Sequence, residues 1–240
     1  MLLAHGSHGA WSHWIRNIDV LAAGRTVWVP DLPGYGESAM PPSEDHQTYA
    51  DILAQGLRAL VTPPIDVVGF SFGATAVAHL AMHHPELARR LIIVGAGGLD
   101  TPNGPVNLVR LRGLEGEARL AAHRQLLLGL MLHNAWSADG LAVHLQAING
   151  PRGRFNPVPF VLPDKLLAAL PRLRVQVDAI WGEHDRPHPP ADQEAVLRRL
   201  FPDIDFRVIR NAGHWAMYEQ AAEFNRTLLE LLDQPLRQTH

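Results

Sequence analysis

The pentapeptide Gly69-Phe70-Ser71-Phe72-Gly73 joins a compact β-branched run, Ile65 to Phe70, to the Ala-rich stretch Ala74 to Met82. No other feature constrains the fold as much. A serine on a sharp strand-to-helix turn is held in a strained backbone conformation. Neighbouring segments crowd the positions two before and two after it, so both must be small. Gly69 and Gly73 meet that demand. The helix that follows aims its N-terminus at the serine, which favours negative charge developing there. The alternative for the motif alone is a Gly-rich strand end with an idle serine.

The rest of the chain supplies the sheet that such a turn requires. Met1 to Ala4 is a short apolar run ending at His5-Gly6. Thr26 to Pro30 reads as a strand running into the loop Asp31-Leu32-Pro33-Gly34-Tyr35-Gly36. Ile52, Leu53, Leu57 and Leu60 fall at helical spacing within Thr48 to Leu60, and Pro63-Pro64 breaks that helix. Leu91 to Val94 is a further buried strand. From about residue 100 to 163 the alternation stops. Leu120, Leu127, Leu128, Met131 and Leu132 suggest one amphipathic helix, Ser137 is a candidate N-cap for the next, and 154–159 reads as loop. Alternation then resumes with a strand over Val175 to Trp181, a helix over Asp192 to Phe201, a strand over Phe206 to Ile209 and a helix over Glu219 to Leu232. The pattern predicts an α/β fold: a mostly parallel sheet of about six strands flanked by helices. Its core comes from residues 1–99 and 164–240, and residues 100–163 form a helical lid at the carboxyl edge, where ligands bind in open α/β sheets.

A serine hydroxyl is a poor nucleophile without a base, and the base needs an orienting acid. Asn211-Ala212-Gly213-His214-Trp215 places a histidine just after the last strand. Trp181-Gly182-Glu183-His184-Asp185 places an acid after the preceding one. The order Ser71, Asp185, His214 is the order expected for a nucleophile elbow on this kind of sheet. Asp100 is a weaker alternative acid, and Glu183 and His184 are expected to serve the turn. The oxyanion hole is expected to use the backbone N–H of Phe72 and that of Ser7, with His8 as the alternative to Ser7. Trp11, Trp136 and Trp215 are the candidate substrate contacts. His79 and His83, four apart on a helix, lack the carboxylate of an H-E-x-x-H zinc motif and read as a surface pair; no metal and no cofactor is expected.

These motifs resemble the α/β-hydrolase fold superfamily over nearly the whole chain. His5-Gly6, Asp31-Leu32-Pro33-Gly34-Tyr35-Gly36-Glu37-Ser38, the Ser71 elbow, Trp181 to Asp185 and Gly213-His214 follow one another in family order. The resemblance implies acyl-enzyme chemistry or a close variant, and a lid over 100–163. Within the family, His5-Gly6-Ser7, the run His214 to Glu219 and Phe224-Asn225 are similar to the meta-cleavage product hydrolases, which cleave C–C bonds in vinylogous diketones. Those enzymes hold a substrate carboxylate with a lid arginine; Arg124, Arg152 and Arg154 are candidates here by location. The elbow reads Ser71-Phe72-Gly73-Ala74 where that branch has Ser-Met-Gly-Gly. The family also carries two strands before the His-Gly loop, so the sheet is expected to lack them. The strand through Val27 and Val29 would then be an exposed edge that invites a homodimer. The alternative is a natural start upstream of Met1.

Composition bounds the partners. A net charge of -3 favours neither nucleic acid nor an anionic membrane. Zero cysteines excludes disulfides, thiolate metal sites and a cysteine nucleophile, and is compatible with a cytoplasmic location. The expected activity is serine hydrolysis of a small, partly apolar carboxylic ester. C–C bond hydrolysis is the alternative, and a non-catalytic ligand receptor on the same fold is the rival from another class.

Overall fold

The computed structural model describes residues 1–237. Five strands form one sheet in the order of the chain: β1 (Leu2–Ala4), β2 (Ile65–Phe70), β3 (Ala88–Val94), β4 (Gln176–Gly182) and β5 (Phe206–Ile209). All four pairings are parallel, with Leu3 opposite Val68, Val68 opposite Ile92, Ile92 opposite Asp178 and Ile180 opposite Arg207. Parallel strands need crossovers, and helices supply them on both faces. The central strands are accordingly apolar over most of their length, with Val67, Val68, Leu91, Ile92, Ile93 and Val94 fully buried and the charged Asp66, Arg89 and Arg90 confined to their amino-terminal ends.

The expected sixth strand is reduced to a single bridge, Leu2 to Trp28. Trp28 N–H donates to the Met1 carbonyl, and Leu3 N–H donates to the Trp28 carbonyl, each at 2.9 Å. Pro30 has no N–H to extend the ladder, and the chain turns into the Asp31 loop.

One face of the sheet carries α2 (His46–Leu60), α3 (Phe72–His83) and α8 (Pro190–Leu200); the other carries α1 (Ile18–Ala22) and α10 (Ala221–Asp233). The helix α2 begins two residues earlier than its apolar spacing suggests, because the Asp45 side chain caps it by accepting Thr48 N–H at 2.8 Å. A short helix, α9 (Ala216–Glu219), precedes α10.

Between β3 and β4 lie α4 (Gly116–Leu130), α5 (Gly140–Asn149), α6 (Val158–Val161) and α7 (Lys165–Ala169). The cap of α5 is Asp139, whose side chain accepts Ala142 N–H at 2.8 Å. Ser137, the expected cap, lies in a preceding 3₁₀ turn with its hydroxyl buried. Phe155 and Phe160 from this segment pack against Phe72 and Tyr49, which ties it to the core beside the elbow. No helix among the described residues is long and apolar enough to cross a membrane.

Candidate active site

Ser71 stands at the carboxyl end of β2 with φ 51° and ψ -118°, a strained conformation for any residue but glycine. Its N–H is held by the Val94 carbonyl at 2.8 Å, and its own carbonyl accepts Ala74 N–H at 3.0 Å. The flanking glycines are needed for space. A Cβ on Gly69 would sit 2.5 Å from Ala74 Cα, and one on Gly73 would sit 2.5 Å from the His5 carbonyl.

Asp185 follows β4 and His214 follows β5, and the sheet brings both to the same edge as Ser71. His214 Nδ1 donates to Asp185 Oδ2 at 2.9 Å, with both side chains buried. That bond leaves Nε2 as the unprotonated nitrogen. Gly95, at the end of β3 with φ 50°, makes room for the pair: a Cβ there would lie 3.0 Å from Asp185 Oδ2 and 3.3 Å from His214 Nδ1. Ser71 and His214 line one cavity. The Ser71 hydroxyl has no hydrogen-bond partner among the described residues, His214 included.

The backbone N–H groups of Phe72 and Ser7 make no hydrogen bond among the described residues. Two neutral imidazoles hold the loop that carries Ser7. His5 Nδ1 donates to the Gly6 carbonyl at 2.8 Å, and His5 Nε2 accepts Leu32 N–H at 2.9 Å. Burial lowers the His5 pKa to about 4, against smaller opposing effects from the Gly6 carbonyl and Asp31. His13 Nδ1 accepts Gly6 N–H at 3.2 Å, and burial holds its pKa well below the ordinary value. Trp215 fixes His13 in turn, donating from Nε1 to its carbonyl at 2.9 Å.

The loop that carries His214 is anchored by Glu219, which sequence reasoning missed. Its buried carboxylate accepts Gly213 N–H at 2.7 Å, Asn134 N–H at 2.6 Å and His133 N–H at 3.0 Å. Trp215 N–H also donates to the Met131 carbonyl at 2.8 Å. The histidine loop and the chain after α4 are therefore one hydrogen-bonded unit.

The cavity beside Ser71 has a volume of about 700 Å³. Leu108, Val109, Leu126, Leu130 and Met131 supply apolar walls, and Arg119, His123 and Gln146 add polar ones. A smaller compartment of about 130 Å³ adjoins Ser71 on the side of Phe72, Val158, Val161 and Leu162. A separate groove of about 490 Å³, around Trp28, Met40 and Leu57, lies at the sheet edge and includes none of Ser71, Asp185 and His214.

All three expected substrate contacts lie outside this lining. Trp11 and Trp136 are exposed at 45% and 61%. Trp215 is buried against His13 and Tyr218 instead of facing the cavity. The arginine candidates are occupied elsewhere: Arg124 by the Ala138 carbonyl, Arg152 by Glu37 at 2.6 Å and Arg154 by the Ser38 carbonyl. Arg119 is the only arginine or lysine of the lining, three turns before the end of α4. Its place one helical turn from His123 was the available signal. Asp100 is exposed and lines no part of this cavity, with its N–H donating to the Pro163 carbonyl at 3.0 Å. Glu183 accepts Asn211 N–H at 2.8 Å and so serves the turn. His79 stacks on His46 at 3.9 Å, and no cluster able to hold a metal occurs among the described residues.

Sheet, elbow and strand-end residues define a hydrolase architecture, and the sequence profile agrees: the chain belongs to the Alpha/beta hydrolase family, which matches residues 1–227. The chain is 27% identical, over 97% of its length and 87% of the relative's, to 2-hydroxy-6-oxo-6-phenylhexa-2,4-dienoate hydrolase of Burkholderia cepacia. It shares its fold with a thermophilic esterase of Thermogutta terrifontis (TM-score 0.73, 22% identity, 96% of this chain and 88% of that one). A meta-cleavage product hydrolase of Pseudomonas fluorescens superposes equally well (TM-score 0.74, 21% identity, 97% and 89%).

Proposed function

We propose that this enzyme is a serine hydrolase acting on a small, partly apolar carboxylic ester. The observation that carries the reading is the His214–Asp185 pair at 2.9 Å beside a strained Ser71 on the same cavity. Rotation of Ser71 about χ1 as substrate enters brings its hydroxyl to His214 Nε2; such bonds commonly close only in the loaded site. His214 takes the hydroxyl proton as Ser71 attacks the carbonyl carbon. Asp185 keeps the imidazole in the required tautomer and stabilises its charged form. The N–H groups of Phe72 and Ser7 receive the oxyanion. His214 then protonates the leaving alkoxide, and water releases the acid. The segment 100–163 acts as the lid over both compartments, and the cysteine-free sequence fits a cytoplasmic enzyme. The small compartment has room for about four water-sized groups, which fits a short apolar substituent.

The test is turnover of p-nitrophenyl acetate by the native protein and by Ser71→Ala. The variant is expected to lose roughly three or more orders of magnitude in kcat. Comparable rates in both proteins would remove Ser71 from the chemistry.

A second reading, C–C bond hydrolysis of a dienoate ring-fission product, is favoured by one observation. Arg119 reaches the cavity with only two 3.5 Å contacts, to the Leu111 and Leu114 carbonyls, and is free to meet a carboxylate. Arg119→Gln is then expected to raise KM for a chromophoric dienoate roughly tenfold while leaving the uncharged acetate ester unchanged. A native protein that hydrolyses the ester but does not bleach the dienoate excludes this second reading.

A further inference from the structure

His188 has no part in the triad, yet it borders both compartments beside Ser71. Its ring lies 5.6 Å from the His214 ring, inclined by 62°. The position is fixed from several directions. Its N–H donates to Asp185 Oδ1 at 3.0 Å, and its carbonyl accepts Trp181 Nε1–H at 3.1 Å. Pro187 precedes it, and Pro189 and Pro190 follow, so three neighbours have restricted φ. The ring packs on Gly97, where a Cβ would sit 2.6 Å from His188 Cε1.

Against that fixed frame, the two ring nitrogens are unused. Neither is hydrogen-bonded among the described residues, and neither is sealed from the cavity. Burial, and then the neighbouring His214, lower the His188 pKa to about 4, with Asp185 opposing. The ring is therefore neutral at neutral pH, a weak base with one N–H donor and one acceptor.

We propose that His188 is a positioning residue that holds the hydrolytic water for His214 in the deacylation step. This rests on the serine-esterase reading above. The leaving group must depart into one of the two compartments, and His188 borders whichever one it vacates. A water entering the larger compartment meets both His214 and His188 in its walls, and the smaller compartment is bordered by His188 beside Ser71. The water oxygen attacks the acyl carbon while one of its protons passes to His214 Nε2. The bond from that carbon to Ser71 Oγ then breaks, and His214 returns the proton to Ser71. His188 accepts a hydrogen bond from the water's second hydrogen and keeps its own proton throughout. Asp185 thus holds two histidines, His214 by its ring through Oδ2 and His188 by its backbone N–H through Oδ1.

Pre-steady-state hydrolysis of p-nitrophenyl acetate separates the steps. His188→Phe keeps the aromatic bulk and removes both nitrogens, and His188→Asn restores a donor and an acceptor. In His188→Phe, acylation is expected to persist as a stoichiometric burst of p-nitrophenolate. The following steady state should slow roughly tenfold, with kcat and KM falling together and kcat/KM retained. His188→Asn is expected to recover most of the deacylation rate. Native deacylation in His188→Phe would overturn the proposal, and so would a loss in kcat/KM shared equally by both variants. If Ser71→Ala itself turns over at the native rate, the underlying esterase reading fails instead. A burst in the native protein, absent from Ser71→Ala, shows that reading intact whatever His188 does.

Discussion

Glu219→Gln is the sharpest test of how the His214 loop is held. The carboxylate is 3% exposed and receives four N–H groups. Oε1 takes Asn134 N–H at 2.6 Å and Asn134 Nδ2–H at 2.9 Å; Oε2 takes Gly213 N–H at 2.7 Å; His133 N–H lies 3.1 and 3.0 Å from the two. A glutamine must place its NH₂ where one oxygen was. At Oε1 it would face two donors, and at Oε2 it would face one, so the amide turns its NH₂ toward Gly213. One buried N–H is left unpaired, which costs about 1–3 kcal/mol. The remaining bonds lose their charge assistance, which adds about 1 kcal/mol. The expected loss of stability is therefore about 2–4 kcal/mol. Urea unfolding followed by circular dichroism reads it as a lower midpoint at unchanged slope. Gly213 precedes His214, so kcat should also fall under conditions where the variant is fully folded. A stability loss under about 1 kcal/mol with native kcat would refute the claim that this carboxylate anchors the loop.

Two further outcomes follow from the same structure. His5 and His79 are buried and neutral, with pKa lowered to about 4 and about 3, mainly by burial. The unfolded chain binds their protons below pH about 6.5 and the folded chain does not, so stability is level above that value and lost as pH falls below it. By pH about 5 each should have removed about 2 kcal/mol, and urea unfolding that gives the same free energy at pH about 5 and about 7.5 would contradict this. Gly95→Ala puts a Cβ at φ 50°, 3.0 Å from Asp185 Oδ2. It is expected to cost about 1–2 kcal/mol and to lower kcat by separating Asp185 from His214; a melting temperature and kcat equal to the native values would show that the pair tolerates the methyl group.

The residues whose role depends on local backbone were legible in the sequence. Ser71 with Gly69 and Gly73 encodes a strand-turn-helix whose crowding is settled within a few residues, and the elbow appears as expected. Asp185 and His214 were legible because a parallel sheet delivers consecutive strand ends to one edge. The core strands read correctly because strands buried on both faces are uniformly apolar.

What only the tertiary structure decided lies where a chain segment has two possible environments. The α4 helix has core on one side, cavity on another and solvent on a third, so Leu120 is half exposed while Leu127 is buried. Apolar periodicity cannot separate a core-facing leucine from a cavity-facing one, so Arg119 and His123 were not found and Trp11 and Trp136 were assigned to a cleft they do not reach. Glu219 reads as an ordinary acidic residue at a helix end until folding brings Asn134, 85 positions away, against it. His188 was one histidine among 14 in the sequence. Its significance comes from two compartments and a catalytic-edge neighbour that no local pattern encodes. The sequence determined the strained serine turn, because that geometry is local; the fold decided what surrounds it, because that geometry is assembled from distant segments.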